Sequence, residues 1–246
     1  MKVSLVILTY NEIVGLKALF DQIPQSAVHE VFAVDGGSTD GTLEFLKGKG
    51  ITVYGQEIKG RGEAFRVAFR KATGDALLFF SPDGNEDPKD IPRFQPLLEQ
   101  GFDMVVGTRM IKGSHNEEDE LTFKWRKWAN NTFNVMANAT WNRKKFVTDT
   151  INGFRAITKK AWRDLALDGP GYTIEYQSSI RCFKLGLKIA EFPTYESGRI
   201  DNREGSPSLQ TGLAFLKIYV REIQVGRAWE PLKWSAVGIE DGKSSP

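Results

Sequence analysis

The sequence holds one cysteine, Cys182, and two histidines, His29 and His115, among 246 residues. A single thiol excludes an internal disulfide framework and makes a reducing compartment the default. Two histidines exclude a multi-histidine metal centre and disfavour a Ser–His–Asp hydrolase, so any divalent cation must be held by oxygen ligands. Long apolar runs are also missing. No stretch approaches the roughly 20 residues of a membrane span, and MKVSLVILTYNE turns polar too early for a signal peptide. Strong charge of one sign is absent too. With 33 basic against 31 acidic residues the net charge is +2, which leaves no global field to gather a polyanion, so nucleic acid is not an expected partner. These absences predict a cytoplasmic globular protein. Its length, with 41% hydrophobic residues, is ample for a substantial core.

What is present is a regular alternation. Val3–Leu8, Val31–Val34, Ile51–Tyr54, Ala76–Phe80 and Met104–Val106 are short apolar runs of strand character. Between them fall helical patterns: one from Ile13 to Phe20 after Asn11, then Thr42–Lys47, a stretch from Gly60–Gly62 to Ala72, and Ile91–Glu99. Continuous apolar strands separated by helices predict an α/β fold, a mostly parallel, Rossmann-like sheet covered on both faces. The character changes near residue 111. A polar, acidic loop over Gly113–Glu120 precedes an expected helix over Leu121–Ala139, an extended segment around Ile151–Ile157, a helix over Ile174–Phe183 and a strand over Leu187–Phe192. Arg199–Ser208 is rich in charge, Gly and Ser. An apolar-periodic helix over Leu209–Ile223 and a tail of disordered composition from Gly238 complete the chain.

In open α/β sheets ligands bind beyond the carboxyl ends of the strands. The segments there are Thr9-Tyr10-Asn11-Glu12, then Asp35-Gly36-Gly37-Ser38-Thr39-Asp40-Gly41-Thr42, then Ser81-Pro82-Asp83-Gly84-Asn85-Glu86-Asp87-Pro88, and lastly Gly107-Thr108-Arg109. Converging on one rim, they offer an aromatic ring, carboxylates, glycines and an arginine, a set suited to a nucleoside diphosphate with a divalent cation. Each has a plainer reading when taken alone. Asp35–Ser38 is also a turn with a helix cap, Gly60-x-Gly62 a tight turn, Asp83 between Pro82 and Gly84 a turn carboxylate, and Arg109 half of an ion pair.

Together, VSLVILTYNE, VFAVDGGSTDGT, KGRGEAFRVAFRKATGD, SPDGNEDP, VVGTRM and DTINGFRAI resemble the family 2 glycosyltransferases with the GT-A fold, over about residues 3–220. GTRM, the Asp149–Arg155 stretch and Arg203-Glu204-Gly205-Ser206 are similar to polyprenol-phosphate sugar synthases of the dolichol-phosphate mannosyltransferase type. The resemblance implies a nucleotide-sugar-binding half over 1–110, an acceptor-binding half of the same domain over 111–224, and a tail over 225–246. It implies inverting transfer of a hexose, mannose or glucose favoured, from a GDP- or UDP-linked donor to polyprenyl phosphate, with Mg2+ or Mn2+. By the same resemblance Asp83 holds the metal, with Asn85 or Glu86 contributing another oxygen, and Arg109 clamps phosphate, assisted by Arg126 or Arg155. The substrate-binding candidates are Thr9, Tyr10, Asn11, Glu12, Asp35, Gly37, Ser38, Gly62, Asn85, Asp149, Arg155, Arg203 and Ser206. Two departures stand out. Ser81 replaces the first carboxylate of the family's Asp-x-Asp, and Gly36 follows Asp35 where a second aspartate is usual.

The acceptor decides whether a base is needed. A sugar hydroxyl needs one; a lipid phosphate is already ionised. Tyr172-Thr173-Ile174-Glu175-Tyr176 has one carboxylate where hydroxyl-glycosylating relatives carry a Glu-Asp pair, which favours phosphate. Glu175 is then either a lone base or a first-turn carboxylate favoured by the helix dipole. Arg143–Lys145 beside Trp141 and Phe146 is either a solvated loop or a contact for an anionic membrane. The Leu209–Ile223 stripe is either core-facing or bilayer-facing, so any membrane contact is peripheral, from the cytosolic side. Two other classes compete. A nucleotidyltransferase lacks support because no Gly-rich basic loop follows the first strand, and a non-catalytic nucleotide-sugar-binding protein fits the change to Ser81.

Overall fold

The computed structural model describes residues 1–119, 124–201 and 208–229. Seven strands form one sheet: β1 (Val3–Thr9), β2 (Glu30–Asp35), β3 (Thr52–Gly55), β4 (Ala76–Phe80), β5 (Met104–Thr108), β6 (Arg155–Thr158) and β7 (Ile189–Pro193). Their spatial order is β3-β2-β1-β4-β6-β5-β7. Only β6 runs antiparallel to its neighbours. The helices are α1 (Ile13–Leu19), α2 (Thr42–Gly48), α3 (Arg61–Lys71), α4 (Phe94–Glu99), α5 (Trp125–Trp141), α6 (Lys159–Leu165), α7 (Thr173–Leu185) and α8 (Ser208–Val225).

The unbroken apolar strands are explained by burial on both faces. Along β1 and β4, successive side chains enter opposite cores. Val6, Leu8, Leu77 and Phe79 join Phe65, Phe69 and Trp162 of α3 and α6. Leu5, Ile7, Leu78 and Phe80 join Leu16, Leu46 and Phe94 of α1, α2 and α4. Phe65 stacks on Phe79 with ring centroids 3.7 Å apart. Helix α7 is buried along almost its whole length, because α5 and α8 form a further layer over it through Phe133, Ala137, Phe215 and Ile218.

The predicted elements are found with their ends moved by a few residues. The expected helix from Leu121 is observed over Trp125–Trp141, and residues 121–123 lie outside the described residues, as does the tail from Gly238. Helix α6 was not expected. It follows β6 directly, capped by Thr158, whose side chain accepts from the Ala161 amide. The lone antiparallel strand was not expected either, and it changes the rim. With β6 between them, the ends of β4 and β5 lie two strand spacings apart, about 10 Å, so Gly107-Thr108-Arg109 is set away from the other post-strand loops.

Close packing beneath the rim depends on Gly15 of α1. A Cβ there would sit 1.7 Å from the Pro82 carbonyl oxygen, a backbone atom that cannot swing aside. Gly15→Ala is expected to lower stability by about 1–3 kcal/mol, read as a fall in the thermal midpoint; an unchanged midpoint would show that α1 does not press on this loop.

Candidate active site

A cleft of about 630 Å³ opens at the carboxyl ends of β1, β2 and β4. Parallel register aligns Thr9 of β1 with Asp35 of β2, and Thr9 Oγ1 donates to Asp35 Oδ2 at 2.8 Å. The same carboxylate accepts from Ser38 Oγ at 2.5 Å and from the Gly37 and Ser38 amides at 2.8 Å each. Asp35 is thus buried as the organiser of this turn. Asn11 takes a left-handed conformation, φ 57°, which turns the chain back so that its amide reaches Ser38 Oγ and its side chain accepts from Thr39 N. Tyr10 is left half exposed on the cleft wall, with Lys59 Nζ 5.6 Å from its ring centre.

The centre of the cleft is Arg61, at the start of α3. Its Nε donates to Glu175 of α7 and its Nη1 to Ser81 Oγ at 3.1 Å. Its guanidinium also lies over the rings of Phe65 and Tyr172, 5.7 Å from each centre. Gly153 makes room for it, and Gly62 lets the start of α3 pack on the segment before α7. A Cβ on Gly153 would fall 2.0 Å from Arg61 Nη2, and one on Gly62 would fall 2.2 Å from the Gly169 carbonyl oxygen. Burial opposes the charge on Arg61, but Glu175 and Glu86 outweigh it and hold the guanidinium protonated. Glu86, buried itself, accepts from the Ser81 amide at 2.7 Å. Burial lifts its carboxyl to about 8, with Arg61 opposing and Asp83 adding to the shift.

Asp83 lines the cleft and pairs with Arg199, Nη2 to Oδ2 at 3.1 Å. The segment carrying Arg199 is fastened over this loop by the Ile200 amide, which donates to the Asp83 carbonyl at 2.9 Å. Among the described residues, two buried side-chain oxygens have no hydrogen-bond partner: Asn85 Oδ1 and Glu175 Oε2. Buried polar atoms are rarely left so, and both lie in or beside this acidic loop.

The other expected residues divide clearly. Thr9, Tyr10, Glu12 and Asp83 line the cleft, with Asn11, Asp35, Gly37, Ser38 and Asn85 in the loops that shape it. Arg109 does not line it. Beyond β6, it pairs with Asp149 at 2.8 Å and Glu196 at 2.7 Å, so Asp149 too belongs to this second cluster. Arg155 is a correction to the expected phosphate contact. It is fully buried, donating to the carbonyls of Asn152, Glu175 and Thr150 and to Ser178 and Ser179, and burial draws its pKa down to about 10. Arg126 stands on α5 with Glu117 3.5 Å away. Arg203 and Ser206 lie outside the described residues. The residues that sequence reasoning passed over are Gln56, Lys59, Arg61, Tyr172 and Arg199. Arg61 stood in plain view inside Gly60-Arg61-Gly62, a motif read for its glycines alone.

The family model described as glycosyl transferase family 2 matches residues 4–165. The chain belongs to this family. As a family 2 glycosyltransferase it is 27% identical over 216 residues to glycosyltransferase AglJ of Haloferax volcanii, covering 87% of this chain and 69% of that protein. It is 27% identical to the dolichol-phosphate mannosyltransferase of Pyrococcus furiosus, over 71% of this chain but 51% of that one. It is 28% identical to the undecaprenyl-phosphate mannosyltransferase of Micrococcus luteus, over 78% and 82% respectively. The fold is GT-A. It matches glucosyl-3-phosphoglycerate synthase of Mycobacterium tuberculosis, solved with Mn2+ and UDP-glucose, with a TM-score of 0.69 at 22% identity over 98% of this chain and 80% of that one.

Glu86 makes the site pH-sensitive. In the unfolded chain it titrates near 4.5 and in the native state near 8, so between these values the native state binds more protons, and its stability falls as pH rises. Glu86→Gln is expected to flatten that slope between pH 5 and 8 in denaturant titrations. An unaltered slope would remove Glu86 as its source.

Proposed function

We propose that this glycosyltransferase moves a hexose, mannose or glucose, from a GDP- or UDP-linked donor to polyprenyl phosphate, with inversion at the anomeric carbon. The single observation that carries the reading is the cleft itself. Thr9 and Tyr10 line one wall, above the turn that Asp35 organises, while Lys59, Arg61, Asp83 and Arg199 line the space where a sugar diphosphate fits. The polyprenyl-phosphate acceptor rests on the names of the relatives in Pyrococcus and Micrococcus.

A divalent cation, Mg2+ or Mn2+, fits the residues present. Asp83 offers a carboxylate at the cleft and Asn85 a buried oxygen without a partner, and a hard cation of this kind completes its shell with phosphate oxygens and water. Bound there, it supplies charge neutralisation for the departing diphosphate. The chain's own groups do the rest. Tyr10 offers a flat face for the base. Lys59 and Arg61 present fixed positive charge to the diphosphate, which is worth most where water is excluded. Arg199, paired here with Asp83, lines the same cleft and would be available to phosphate if a cation were held by that carboxylate.

Glu175 bears on the acceptor. Its Oε1 is taken by Arg61 and its Oε2 is shut away from solvent, an arrangement that builds the site rather than one that collects a proton from an incoming hydroxyl. A phosphate acceptor asks for no such base. The second reading, transfer to a glycan hydroxyl with Glu175 as base, is favoured only by that same unpartnered oxygen.

Radiolabelled GDP- and UDP-sugars incubated with Mg2+ or Mn2+ and polyprenyl phosphate are expected to give lipid-extractable label, and Asp83→Ala to cut it by about 10²-fold. Absence of lipid label with every donor would defeat the acceptor assignment. Label on a soluble glycan, abolished by Glu175→Gln, would establish the second reading.

A further inference from the structure

Two helices that the transfer chemistry does not use present apolar side chains to solvent. On α8, Leu209, Leu213, Leu216, Val220 and Ile223 are 44–77% exposed. Their spacing of four and three residues puts them on one stripe. On α5, Trp125, Trp128 and Val135 are 42–58% exposed. The helices lie side by side, with Phe133 and Phe215 ring centres 5.4 Å apart and those of Trp141 and Tyr219 5.0 Å apart. Both turn their inner residues onto Tyr176 and Ile180 of α7, so their outward stripes occupy the same side of the molecule. The choice left open by the α8 pattern resolves into two faces: Phe215 and Ile218 are core, and the leucine stripe is surface.

The charges around this side have one predominant sign. Helix α5 contains no carboxylate, and Glu222 of α8 is buried against Arg181 and Lys184. Arg126, Lys127 and Arg221 are answered by Glu117, Asp119 and Asp168. Arg143, Lys144, Lys145 and Lys217 are exposed and have no carboxylate partner among the described residues. Apolar residues with tryptophans, rimmed by cations, are the composition of a helix pair lying in a membrane interface. No helix among the described residues is long and apolar enough to cross a bilayer.

We propose that the α5–α8 face rests on an anionic lipid bilayer. Trp125, Trp128 and the α8 stripe enter the interfacial region, and Arg143–Lys145 with Lys217 meet the headgroups. A second copy of the chain fits less well, because a two-fold contact would bring these unanswered cations together. The proposal deepens the reading of a lipid acceptor: polyprenyl phosphate carries its charged end at the bilayer surface, and Ser208, the first residue of α8, follows Arg199 of the cleft by a short length of chain.

The test is co-sedimentation of the full chain with vesicles of phosphatidylcholine alone and with about one-third phosphatidylglycerol. Binding is expected to rise about tenfold with the anionic lipid, to weaken with salt, and to fall about tenfold in Leu213→Glu/Leu216→Glu, whose exposed positions leave the thermal midpoint unchanged. Trp128→Ala, measured in parallel, is expected to weaken binding as well. Failure to bind anionic vesicles at low salt would overturn the proposal. So would a concentration-dependent dimer that the double substitution dissolves, or binding that appears only after removal of residues 230–246. Transfer to a short-chain polyprenyl phosphate in detergent reads the catalytic assignment separately: normal transfer without vesicle binding defeats the membrane face alone.

Discussion

A buried ion pair, Arg61 with Glu175, is the constraint on which the rest of the site depends. It joins the first turn of α3 to the first turn of α7, and through Ser81 it reaches the loop after β4. Broken by removal of one partner, such a pair leaves an unanswered charge at a cost of about 3–5 kcal/mol. Much of the neighbourhood is built to receive it. Gly153 clears space, Phe65 and Tyr172 cover the guanidinium, and Glu86 is pressed close enough to bear the electrostatic consequence. Ser81 is coherent in this setting. Where relatives are expected to carry an aspartate, this chain has a hydroxyl that accepts from Arg61, so fixed positive charge stands beside Asp83, the carboxylate that remains of that motif.

The second constraint is topological. Because β6 enters the sheet antiparallel between β4 and β5, the rim is divided. One part is the cleft over β1, β2 and β4. The other is the cluster in which Arg109 joins Asp149 and Glu196, and in which Asn116 donates to the same Glu196. That cluster ties the polar loop before α5 to the end of β7. Its arginine is burdened with two carboxylates, whereas Arg199, in a half-open position on the cleft wall, has Asp83 alone among the described residues. Of the two, Arg199 is the one that lines the cleft.

The parallel half of the fold was legible because β1 and β4 are apolar at every position but Ser4 and the terminal Thr9, and so carry their burial in composition. Loops following those strands were legible for the same reason: they begin where the apolar runs end. Arg155 misled because the sequence does not distinguish an arginine that binds a ligand from one that satisfies carbonyls inside the core. Arg61 was missed because its significance is a long-range pairing with a helix more than a hundred residues away. The antiparallel β6 was invisible for a related reason. An extended segment of four residues declares neither its direction nor its neighbours, and both are fixed by what packs around it. The outward stripe of α8 was visible as periodicity, but only the packing of Phe215 and Ile218 on α7 shows which face is left over.

The most direct measurement of the central claim is a crystal structure of the protein with Mn2+ and a nucleoside diphosphate sugar. The account predicts nucleotide between Tyr10 and Lys59, the cation on Asp83, Arg61 still joined to Glu175, and Arg199 moved from Asp83 to the phosphates. Nucleotide bound elsewhere, or a filled cleft with Arg199 still on Asp83 and no cation there, would contradict it.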